Sequence, residues 1–534
     1  MATPLKFLIS DSLSKQGLEI LEKAGFQCVV KTKLPKEELL KEIKDCDGLI
    51  VRSGTKVTAE VIAAAERLKV IGRAGSGLDN VDSQAATRRG IVVMNTPGGN
   101  TVTTAEHTMS MICAMTRRIP QATASTKAGK WEKEKFMGVE LYNKTLGIVG
   151  VGQIGGYLTK LAQGFSMNII AYDPYLAPER AQKMGVEMVE LDDLFKRADV
   201  ISVHTPLTPE TRSLINAQAI GKMKPGVMIA NCARGGIVNE ADLCEALKTK
   251  RVAAAAFDVF EEEPVRADNP LLALDNFICS PHIGASTTEA QENVAVSIAE
   301  QIVDYFSKGV ARGAVNIPAV PPELLPRLQP YLVLAEKIGL LQAQLYEGGV
   351  ERVTVEYNGE VAGLSVAPLT IAVLRGLLRP ILGNDVNYVN APILAKERGI
   401  EVKEVKSADA GDFTSIIRVR VESGKKSHQV AGTVFHKKDP RIVELDRFQI
   451  EVLPEGHMLL ILNVDRPGVI GAVTSALGAD HINIARMQCA REERGGDALL
   501  IIGLDGPIPA AVVDRIKAGQ NIRSVKVVDL SFGV

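Results

Sequence analysis

The sequence has no excess of charge of either sign. Its 62 lysine and arginine residues stand against 63 aspartate and glutamate residues, which leaves a formal net charge of -1. Such a balance creates no field strong enough to hold DNA, RNA or an anionic membrane. We therefore expect no nucleic acid and no membrane among its partners, and any anion-binding site has to be built locally.

The cysteine spacings of disulfide frameworks and zinc sites are also missing. The seven cysteines are odd in number and never form a C-x-x-C pair; they are Cys28, Cys46, Cys113, Cys232, Cys244, Cys279 and Cys489. This pattern is typical of reduced thiols in the core of a cytoplasmic protein, and it predicts no metal site.

Long apolar runs are absent too. The first ten residues contain one lysine and an apolar stretch too short for a signal peptide, and no run approaches membrane-spanning length. These absences favour a cytoplasmic protein. With 534 residues, the chain is long enough for three or four domains.

Short apolar runs alternate with helical patterns, such as residues 34–44 and 58–68, in two series. The predicted strands are 6–9, 27–31, 48–51, 70–72 and 91–95 in the first series, and 146–149, 168–172, 200–204, 227–231 and 253–257 in the second. This alternation predicts two parallel sheets covered by helices. The expected fold class is therefore α/β, with two Rossmann-like or flavodoxin-like lobes and a cleft between them.

Two long amphipathic helix patterns, residues 101–118 and 287–306, flank the second series. As a pair of connectors, they would insert the nucleotide-binding lobe into the substrate-binding lobe. We therefore assign residues 1–98 and 290–317 to the substrate lobe and residues 99–289 to the nucleotide lobe.

A proline cluster follows the second lobe and predicts a linker, because proline cannot continue a helix. Its members are Pro318, Pro321, Pro322, Pro326 and Pro330. Residues 318–455 mix helices and strands in an α+β intervening domain, with strands near 351–357, 414–421 and 429–435. Residues 456–534 follow the order strand, helix, strand, strand, helix, strand, which is that of a ferredoxin-like domain.

A G-x-G-x-x-G motif follows a predicted strand and precedes a helical pattern. Gly150 permits a tight turn, Gly152 lets the backbone approach a pyrophosphate, and Gly155 lets helix and strand pack closely. Asp173, about twenty residues further on, would accept hydrogen bonds from ribose hydroxyls and repel a 2′-phosphate. Together these features predict NAD as the cofactor, although glycines also occur in ordinary strand-to-helix turns.

Three strand ends of the second lobe carry side chains suited to oxidising a secondary alcohol. His282 would take the hydroxyl proton near neutral pH, with Glu263 orienting the imidazole. Arg234 would clamp a substrate carboxylate with its planar guanidinium. Each residue also has an ordinary alternative, as a packed histidine, a solvated acidic turn and a surface ion pair. The other histidines, including His107 and His204, are interpreted as structural.

These motifs resemble those of the D-isomer-specific 2-hydroxyacid dehydrogenases. The matching segments are 147–155, 231–235, 258–264 and 281–284, and the likeness runs almost end to end. The resemblance implies that Arg234, Glu263 and His282 are catalytic. It also implies NAD contacts at Ser76, Gln153, Ile154, Asp173, Thr205, Cys232, Ala233, Arg234, Asp258, His282, Ile283, Gly284 and Ala285. Many relatives carry arginine where Gln153 stands, so modestly weaker cofactor binding is expected.

A narrower likeness within the family, in residues 51–57, 72–82 and 129–133, implies a phosphorylated three-carbon substrate. The implied reaction is oxidation of 3-phosphoglycerate to 3-phosphohydroxypyruvate, the first step of the phosphorylated route to L-serine, in a homodimer or homotetramer. Such a substrate needs cations beyond the carboxylate clamp. Arg52, with Ser53 in a strand-end turn, and Arg73 are the candidates, unless they are ordinary surface residues.

The last eighty residues resemble an ACT domain. Asn463 and Asp465, in the turn after its first strand, and Asn483 match positions where ACT domains bind amino acids. The resemblance implies L-serine as an effector across paired ACT domains, with its ammonium against Asp465 and its carboxylate at Asn483. The same segment is also simply a good tight turn before a helix.

Two other functions stay open from the sequence. One is a dehydrogenase for another D-2-hydroxy acid, such as glycerate. The other is a non-catalytic NAD-sensing binding protein of the corepressor type, although the full arginine, glutamate and histidine set favours catalysis.

Overall fold

The computed structural model describes residues 4–318, 320–346, 348–383, 385–424 and 426–531. Within these residues the chain forms two parallel α/β sheets, then a mixed sheet, then a four-stranded antiparallel sheet. The predicted fold class is confirmed.

The first sheet is parallel, with the order β2-β1-β3-β4-β5. Its strands are β1 (Lys6–Ile9), β2 (Gln27–Val30), β3 (Gly48–Val51), β4 (Val70–Arg73) and β5 (Val92–Asn95). Its first helices are α1 (Lys15–Lys23), α2 (Lys36–Glu42), α3 (Ala59–Ala64) and α4 (Ser83–Arg88). β3 is a continuous apolar run, and β5 is apolar from Val92 to Met94 and ends at Asn95; both are buried along their whole length, as expected for strands covered on both faces. Polar side chains cap three of the helices: Ser14, Thr58 and Asp82.

The second sheet is also parallel, with the order β12-β11-β10-β9-β6-β7-β8. Its strands are β6 (Thr145–Val149), β7 (Asn168–Tyr172), β8 (Glu187–Met188), β9 (Val200–Val203), β10 (Val227–Asn231), β11 (Val252–Phe257) and β12 (Phe277–Cys279). The helices of this part are α5 (Thr101–Thr116), α6 (Ile119–Lys127), α7 (Gln153–Gly164), α8 (Pro178–Lys183), α9 (Leu191–Arg197), α10 (Ala217–Lys222), α11 (Glu240–Lys248) and α12 (Thr288–Lys308). The chain reverses direction across the sheet between β6 and β9, and ligands of doubly wound sheets bind at such a switch point.

The two connecting helices pack on different sheets. α5 lies against α7 and β11 of the second sheet. α12 returns to the first sheet, where Val294, Ile298 and Ile302 share a core cluster with Phe7 and Met94. Residues 313–315 then hydrogen-bond to β5. The first sheet is therefore covered by two separate segments of the chain, and a cleft opens between it and the second sheet.

The remaining residues form two further sheets. The mixed sheet has the order β14-β13-β15-β16-β17-β18 and the last sheet the order β20-β21-β19-β22. The elements around the mixed sheet are α13 (Leu325–Leu345), β13 (Arg352–Gly359), α14 (Ala367–Leu382), α15 (Ala391–Glu397), β14 (Glu401–Ser407), β15 (Ser415–Ser423), β16 (Lys426–Phe435), β17 (Asp439–Leu445) and β18 (Phe448–Val452). Those of the last sheet are β19 (His457–Val464), α16 (Val469–Ala479), β20 (Ile484–Arg491), β21 (Asp497–Leu504), α17 (Ala510–Lys517) and β22 (Ile522–Asp529).

Two of the clustered prolines lie inside a helix, so the prediction that this cluster excludes helix is wrong. Pro326 occupies the first turn of α13, where a missing N–H costs no hydrogen bond, and Pro330 follows one turn later. The rest of α13 is buried, including Leu334, Ile338 and Leu341. Packing of that half outweighs the local cost of Pro330.

The cysteines are all free thiols, but not all of them lie in the core. Cys279 and Cys489 are exposed, at the ends or edges of their sheets, which corrects the prediction for these two. Across the described ranges, no helix is both long enough and apolar enough to cross a membrane.

Candidate active site

The cleft between the two parallel sheets holds a cavity of about 300 Å³. Side chains and backbone from both lobes line it. They include the predicted residues Arg52, Ser53, Arg73, Ser76, Ile154, Thr205, Cys232, Ala233, Arg234, Asp258, His282, Gly284 and Ala285. The parallel strands therefore bring together residues that are far apart in the sequence.

The glycine motif forms the turn between β6 and α7. Gly150 has a φ of +93°, and a Cβ on Gly155 would lie 2.2 Å from the carbonyl oxygen of Gly150. A Cβ on Gly152 would meet nothing within 4 Å, so this backbone faces open space. Gly152 also precedes α7 without a side-chain cap, which leaves backbone N–H groups of the first turn for an anion.

Asp173 stands beside this turn. Its Oδ2 accepts a hydrogen bond from the N–H of Val151 at 2.8 Å, and its Oδ1 accepts one from the N–H of Tyr175 at 2.8 Å. These bonds fix the carboxylate next to the backbone that would hold a diphosphate. Each oxygen keeps a further lone pair with which to accept from a ribose hydroxyl.

Gln153 turns towards the first connecting helix. Its Oε1 accepts a hydrogen bond from Oγ1 of Thr101, the first residue of α5, at 3.1 Å. The same oxygen would lie 2.6 Å from a Cβ on Gly98, whose φ is +92°. The amide therefore links the cofactor turn to the junction between the lobes.

Glu263 and His282 form the pair predicted from the sequence. Oε2 of Glu263 lies 2.7 Å from Nδ1 of His282, while its Oε1 accepts from the N–H of Phe260 at 3.0 Å. This hydrogen bond raises the pKa of His282 above its usual value, against burial and the positive charge of Arg234. Burial opposes ionisation of Glu263, but the bonds from His282 and Phe260 outweigh it and lower its pKa. When the imidazole is neutral and its Nδ1–H donates to Glu263, Nε2 is the ring nitrogen that can accept a proton.

Asp258 fixes the backbone of the turn that carries His282. This buried carboxylate accepts from Oγ of Ser280 at 2.6 Å, the N–H of Ile283 at 2.9 Å and the N–H of Gly284 at 2.7 Å. Burial opposes its ionisation, but these bonds and His107, 3.3 Å away, lower the pKa of Asp258. Because His282 has a φ of +55°, its turn needs such support.

Arg234 reaches across the cleft to the first lobe. Its Nε donates to Oδ2 of Asp79 at 3.0 Å, and its Nη1 donates to the carbonyl oxygen of Ala233 at 2.7 Å. The fully buried Asn231 holds the turn, because its amide donates to the carbonyl oxygen of Arg234 at 2.9 Å and its Oδ1 accepts from the N–H of Ala233 at 3.1 Å. The guanidinium faces the cavity with part of its donors unused.

Arg73 is the least satisfied cation of the cleft. Its Nε is enclosed without a hydrogen-bond partner, and Nη1 makes only a 3.5 Å contact with the carbonyl oxygen of Ala74 among the described residues. Burial, then the positive charges of Arg234 and Arg52, lower the pKa of Arg73 to about 10. Three guanidinium groups therefore lie near one another in the cleft, where an anionic ligand would be favourable.

Glycines make room for two of these guanidinium groups. A Cβ on Gly75 would lie 1.5 Å from Nη1 of Arg73, and a Cβ on Gly77 would lie 2.3 Å from Nη2 of Arg234. Asp11 orders the neighbouring turn by accepting from the N–H of Arg52 at 2.7 Å.

The sequence analysis missed several residues of the cleft. Asn100 accepts from Oγ of Ser76 at 2.7 Å, and Thr104 lines the cavity beside it. His107, interpreted as structural, contacts Asp258 and Ser280 directly beneath the turn of His282. The glycine spacing at residues 75 and 77 was a usable signal, whereas α5 carries no motif that points to His107.

His204 and Cys232 stay uncharged at this site. Burial lowers the pKa of His204 to about 4, and its Nε2 lies 2.8 Å from Oγ of Ser202. Burial also raises the pKa of the Cys232 thiol to about 12. Both side chains therefore line the cavity as uncharged groups. Oγ1 of Thr205, next to His204, is buried without a hydrogen-bond partner in the described part of the chain.

The three predicted effector residues do not meet within one chain. Asp465 accepts from Nη1 of Arg491 at 3.1 Å, while the amide of Asn483 donates to Oδ2 of Asp505 at 2.6 Å. The register of β19, β20 and β21 puts Asp465 and Asn483 at opposite ends of the last sheet. Asn463 is buried and donates to the carbonyl oxygen of Val464. A site using both ends would need a second copy of the chain.

Models of three protein families match successive parts of the chain. "D-isomer specific 2-hydroxyacid dehydrogenase, NAD binding domain" matches residues 109–284. "D-3-phosphoglycerate dehydrogenase intervening domain" matches residues 327–446, and "ACT domain" matches residues 457–518.

Whole proteins with the same organisation are also similar. The D-3-phosphoglycerate dehydrogenase of Methanocaldococcus jannaschii is 47% identical over 98% of this chain and 100% of its own length. That of Bacillus subtilis is 42% identical over 98% of this chain and 99% of its own length.

Solved structures resemble the first two lobes. The TT0316 protein of Thermus thermophilus aligns with a TM-score of 0.55 at 35% identity, over 58% of this chain and all of that one. An NAD⁺-bound 3-phosphoglycerate dehydrogenase of Entamoeba histolytica aligns with a TM-score of 0.50 at 34% identity, over 60% of this chain and all of that one.

Proposed function

The chain belongs to the D-3-phosphoglycerate dehydrogenases, within the D-isomer-specific 2-hydroxyacid dehydrogenase family, and we propose that its cleft oxidises 3-phosphoglycerate to 3-phosphohydroxypyruvate with NAD. One observation carries the proposal. A histidine–glutamate pair with a 2.7 Å contact lies in the same cleft as three guanidinium groups, and the Nε of one of them, Arg73, has no hydrogen-bond partner among the described residues. The reaction is the first step of the phosphorylated route to L-serine.

His282 and Glu263 carry the proton. Because Nδ1 of His282 faces Glu263, Nε2 is left for the hydroxyl proton of the substrate. As that proton moves to Nε2, the carbon–hydrogen bond breaks and the carbon–oxygen bond becomes a carbonyl. NAD, when bound, supplies the carbon that accepts the hydride. Glu263 then stabilises the imidazolium formed on His282.

The guanidinium groups bind the two anionic ends of the substrate. Arg234 is assigned to the carboxylate, since its planar group lies in the same cleft wall as His282. Arg73 and Arg52, with Ser53, are assigned to the phosphate. The unsatisfied Nε of Arg73 supports this division, because a buried donor without an acceptor is costly.

The residues of the glycine turn fit NAD. The open space at Gly152 and the uncapped start of α7 suit a diphosphate, and Asp173 suits the ribose hydroxyls of NAD. The buried, partnerless Oγ1 of Thr205 offers a further ligand contact. We extend the cofactor site to the other predicted positions, from Ser76 in the first lobe to Ala285 in the second.

The domain division is part of the same proposal. Residues 1–98 with 290–317 form the substrate lobe, 99–289 the nucleotide lobe, 318–455 the intervening domain and 456–534 the ACT domain. The packing of α12 on the first sheet supports the return of the chain to that lobe.

We also propose a homodimer or homotetramer with L-serine as effector. Trp131, Met137 and Tyr142 expose 78%, 80% and 64% of their surface on the nucleotide lobe, which supports an interface there. The separation of Asp465 from Asn483 supports serine binding across two ACT domains. The free thiols support a reducing compartment, the cytoplasm.

NADH absorbance with the purified chain tests the reaction. We expect turnover with 3-phosphoglycerate to exceed that with D-glycerate or D-2-hydroxyglutarate, and added L-serine to slow it. Faster turnover of an unphosphorylated acid would replace the substrate assignment. Binding of NADH without turnover of any of these acids would favour the NAD-sensing alternative.

A further inference from the structure

A second cavity lies where the first lobe meets the intervening domain. Its volume is about 750 Å³, and β5, the end of α12, α13 and α14 enclose it. Among the described residues, none lines both this cavity and the cleft. It is therefore a separate space, and nothing in the dehydrogenase reaction uses it.

One wall of this junction cavity carries a buried charge cluster. Glu336 of α13 is 5% exposed, and its Oε2 lies 2.5 Å from Nη1 of Arg375 on α14. The hydroxyl of Tyr388 donates to the same carboxylate oxygen at 2.9 Å, and the guanidinium carbon of Arg375 lies 4.8 Å from the centre of the Tyr388 ring. Burial, then the charge of Glu336, raise the pKa of Tyr388 to about 12, so this phenol stays protonated.

Arg375 keeps one donor unused in this wall. Among the described residues its Nε is buried without a hydrogen-bond partner, whereas its Nη1 lies 2.5 Å from Oε2 of Glu336. Buried donors are normally satisfied, so an orphan at a cavity wall indicates a missing acceptor. Two further cations line the cavity: Arg379, which lies 4.0 Å from Glu336, and Lys308, which pairs with Asp304 at 2.8 Å.

The opposite walls are apolar. Val92, Val310, Leu332, Val333 and Ile371 face the same space. A site with a few polar donors and mostly aliphatic walls suits a small molecule with one anionic group on an apolar body, rather than a compact, fully hydrated anion.

We propose that the junction cavity binds a small carboxylic acid with an aliphatic or aromatic body, whose carboxylate accepts from Nε of Arg375. The body would lie against the aliphatic walls. The site is distinct from the active site and from the predicted serine site.

The position of the cavity gives such a ligand contact with two parts of the molecule, the first lobe and the helices of the intervening domain. The amide of Asn387, in its wall, donates to the carbonyl oxygen of Gly90 in the first lobe at 2.9 Å. On α13, Gln344 exchanges hydrogen bonds of 2.8 and 2.9 Å with the backbone of Asp529 in the last strand. A ligand at this junction would therefore contact α13, the helix that connects the catalytic lobes to the ACT sheet.

Calorimetry on the full chain tests the proposal with three probes. Phenylacetate has the proposed anion and body, phenylacetamide has the same shape without the charge, and inorganic phosphate has the charge without the body. We expect phenylacetate to bind at least tenfold more tightly than the other two. Equal binding of the acid and the amide, binding of phosphate alone, or no binding of phenylacetate would overturn the proposal.

Variants locate the bound probe. The double substitution Glu336→Gln with Arg375→Gln removes both partners of the 2.5 Å ion pair, and Val333→Phe fills the apolar wall without changing a charge. Each should weaken phenylacetate binding at least tenfold, while Arg398→Gln, an exposed arginine outside the cavity wall, should leave it unchanged. Circular dichroism checks that each variant is folded. Full binding by both folded cavity variants, or displacement of phenylacetate by 3-phosphoglycerate, would show that the probe sits elsewhere.

Discussion

The two ends of the cleft treat charge in opposite ways. At one end Glu263 and His282 satisfy each other at 2.7 Å. At the other, Arg73 lies near Arg52 with an enclosed Nε that has no acceptor among the described residues. The first end is complete without a ligand and is prepared to move a proton. The second end is unfavourable until an anion arrives, which is why we propose that it selects the substrate.

The largest effect on kcat is expected at the end of the cleft that holds Glu263 and His282. Replacing His282 with alanine should lower kcat by about 10²–10⁴-fold, because general-base catalysis is lost. NAD affinity, measured by calorimetry, should change little. His436→Ala, an exposed histidine of the intervening domain, serves as the control and should keep full activity. Unchanged turnover in His282→Ala would remove this residue from the mechanism.

Substitution at the end of the cleft that holds Arg73 should act differently: we expect activity to fall while stability rises. Arg73→Met should lower kcat/KM for 3-phosphoglycerate by about 10²-fold, since a charge-assisted hydrogen bond contributes roughly 1.5–3 kcal/mol. The same change should raise the unfolding midpoint of the ligand-free protein, because it removes a half-buried cation with an unsatisfied donor. Thermal unfolding and steady-state rates check both halves. A loss of stability together with activity would mean that Arg73 is structural.

Changing Glu263 to glutamine tests what the Glu263–His282 pair contributes to catalysis. We expect kcat to fall by about tenfold, because the imidazolium loses its carboxylate partner. Protonated His282 cannot accept a proton, so oxidation should rise with pH through the pKa of His282. The bond to Glu263 is the main cause that raises this pKa, so its loss should move the rise to lower pH. The pH profile of kcat/KM measures this shift, and an unmoved profile would contradict it.

The smallest effect is expected on the cofactor turn, which carries no charge at Gln153. Gln153→Arg should tighten NAD binding by up to about fivefold, because a partly exposed ion pair contributes roughly 0.2–1 kcal/mol. The gain should shrink with added salt. Thr101→Val, which removes only the hydrogen bond to Gln153, separates the effect of the new charge from that of the lost contact. Calorimetry at two salt concentrations measures both.

The sequence predicted the two parallel sheets with little error. Apolar runs such as those of β3 and β5 gave strands whose bounds match the structure within a residue or two. Short strands were missed, including the two-residue β8 and the three-residue β12. Two or three residues are too few to show a periodic pattern of apolar side chains. The helix through Pro330 was also missed, since its stability comes from burial and not from local preference.

The residues of the candidate active site likewise fall into those that were predicted from the sequence and those that were not. The order of glycines and the residue types at strand ends were enough to name Asp173, Arg234, Glu263 and His282, because parallel strands deliver their carboxyl ends to one edge. His107 and Asn100 lie on or beside α5 and reach the site only through packing, so no local pattern pointed to them.

The sequence alone determined where strands and turns form and which chemical groups stand at their ends, since those depend on residues close together along the chain. Only the tertiary structure decided which charges remain without partners. Arg73 and Arg375 look like any arginine in the sequence, and their unsatisfied Nε atoms follow from side chains contributed by distant segments. Burial and pairing are properties of the packed molecule, because they depend on what every neighbouring segment brings to the same place.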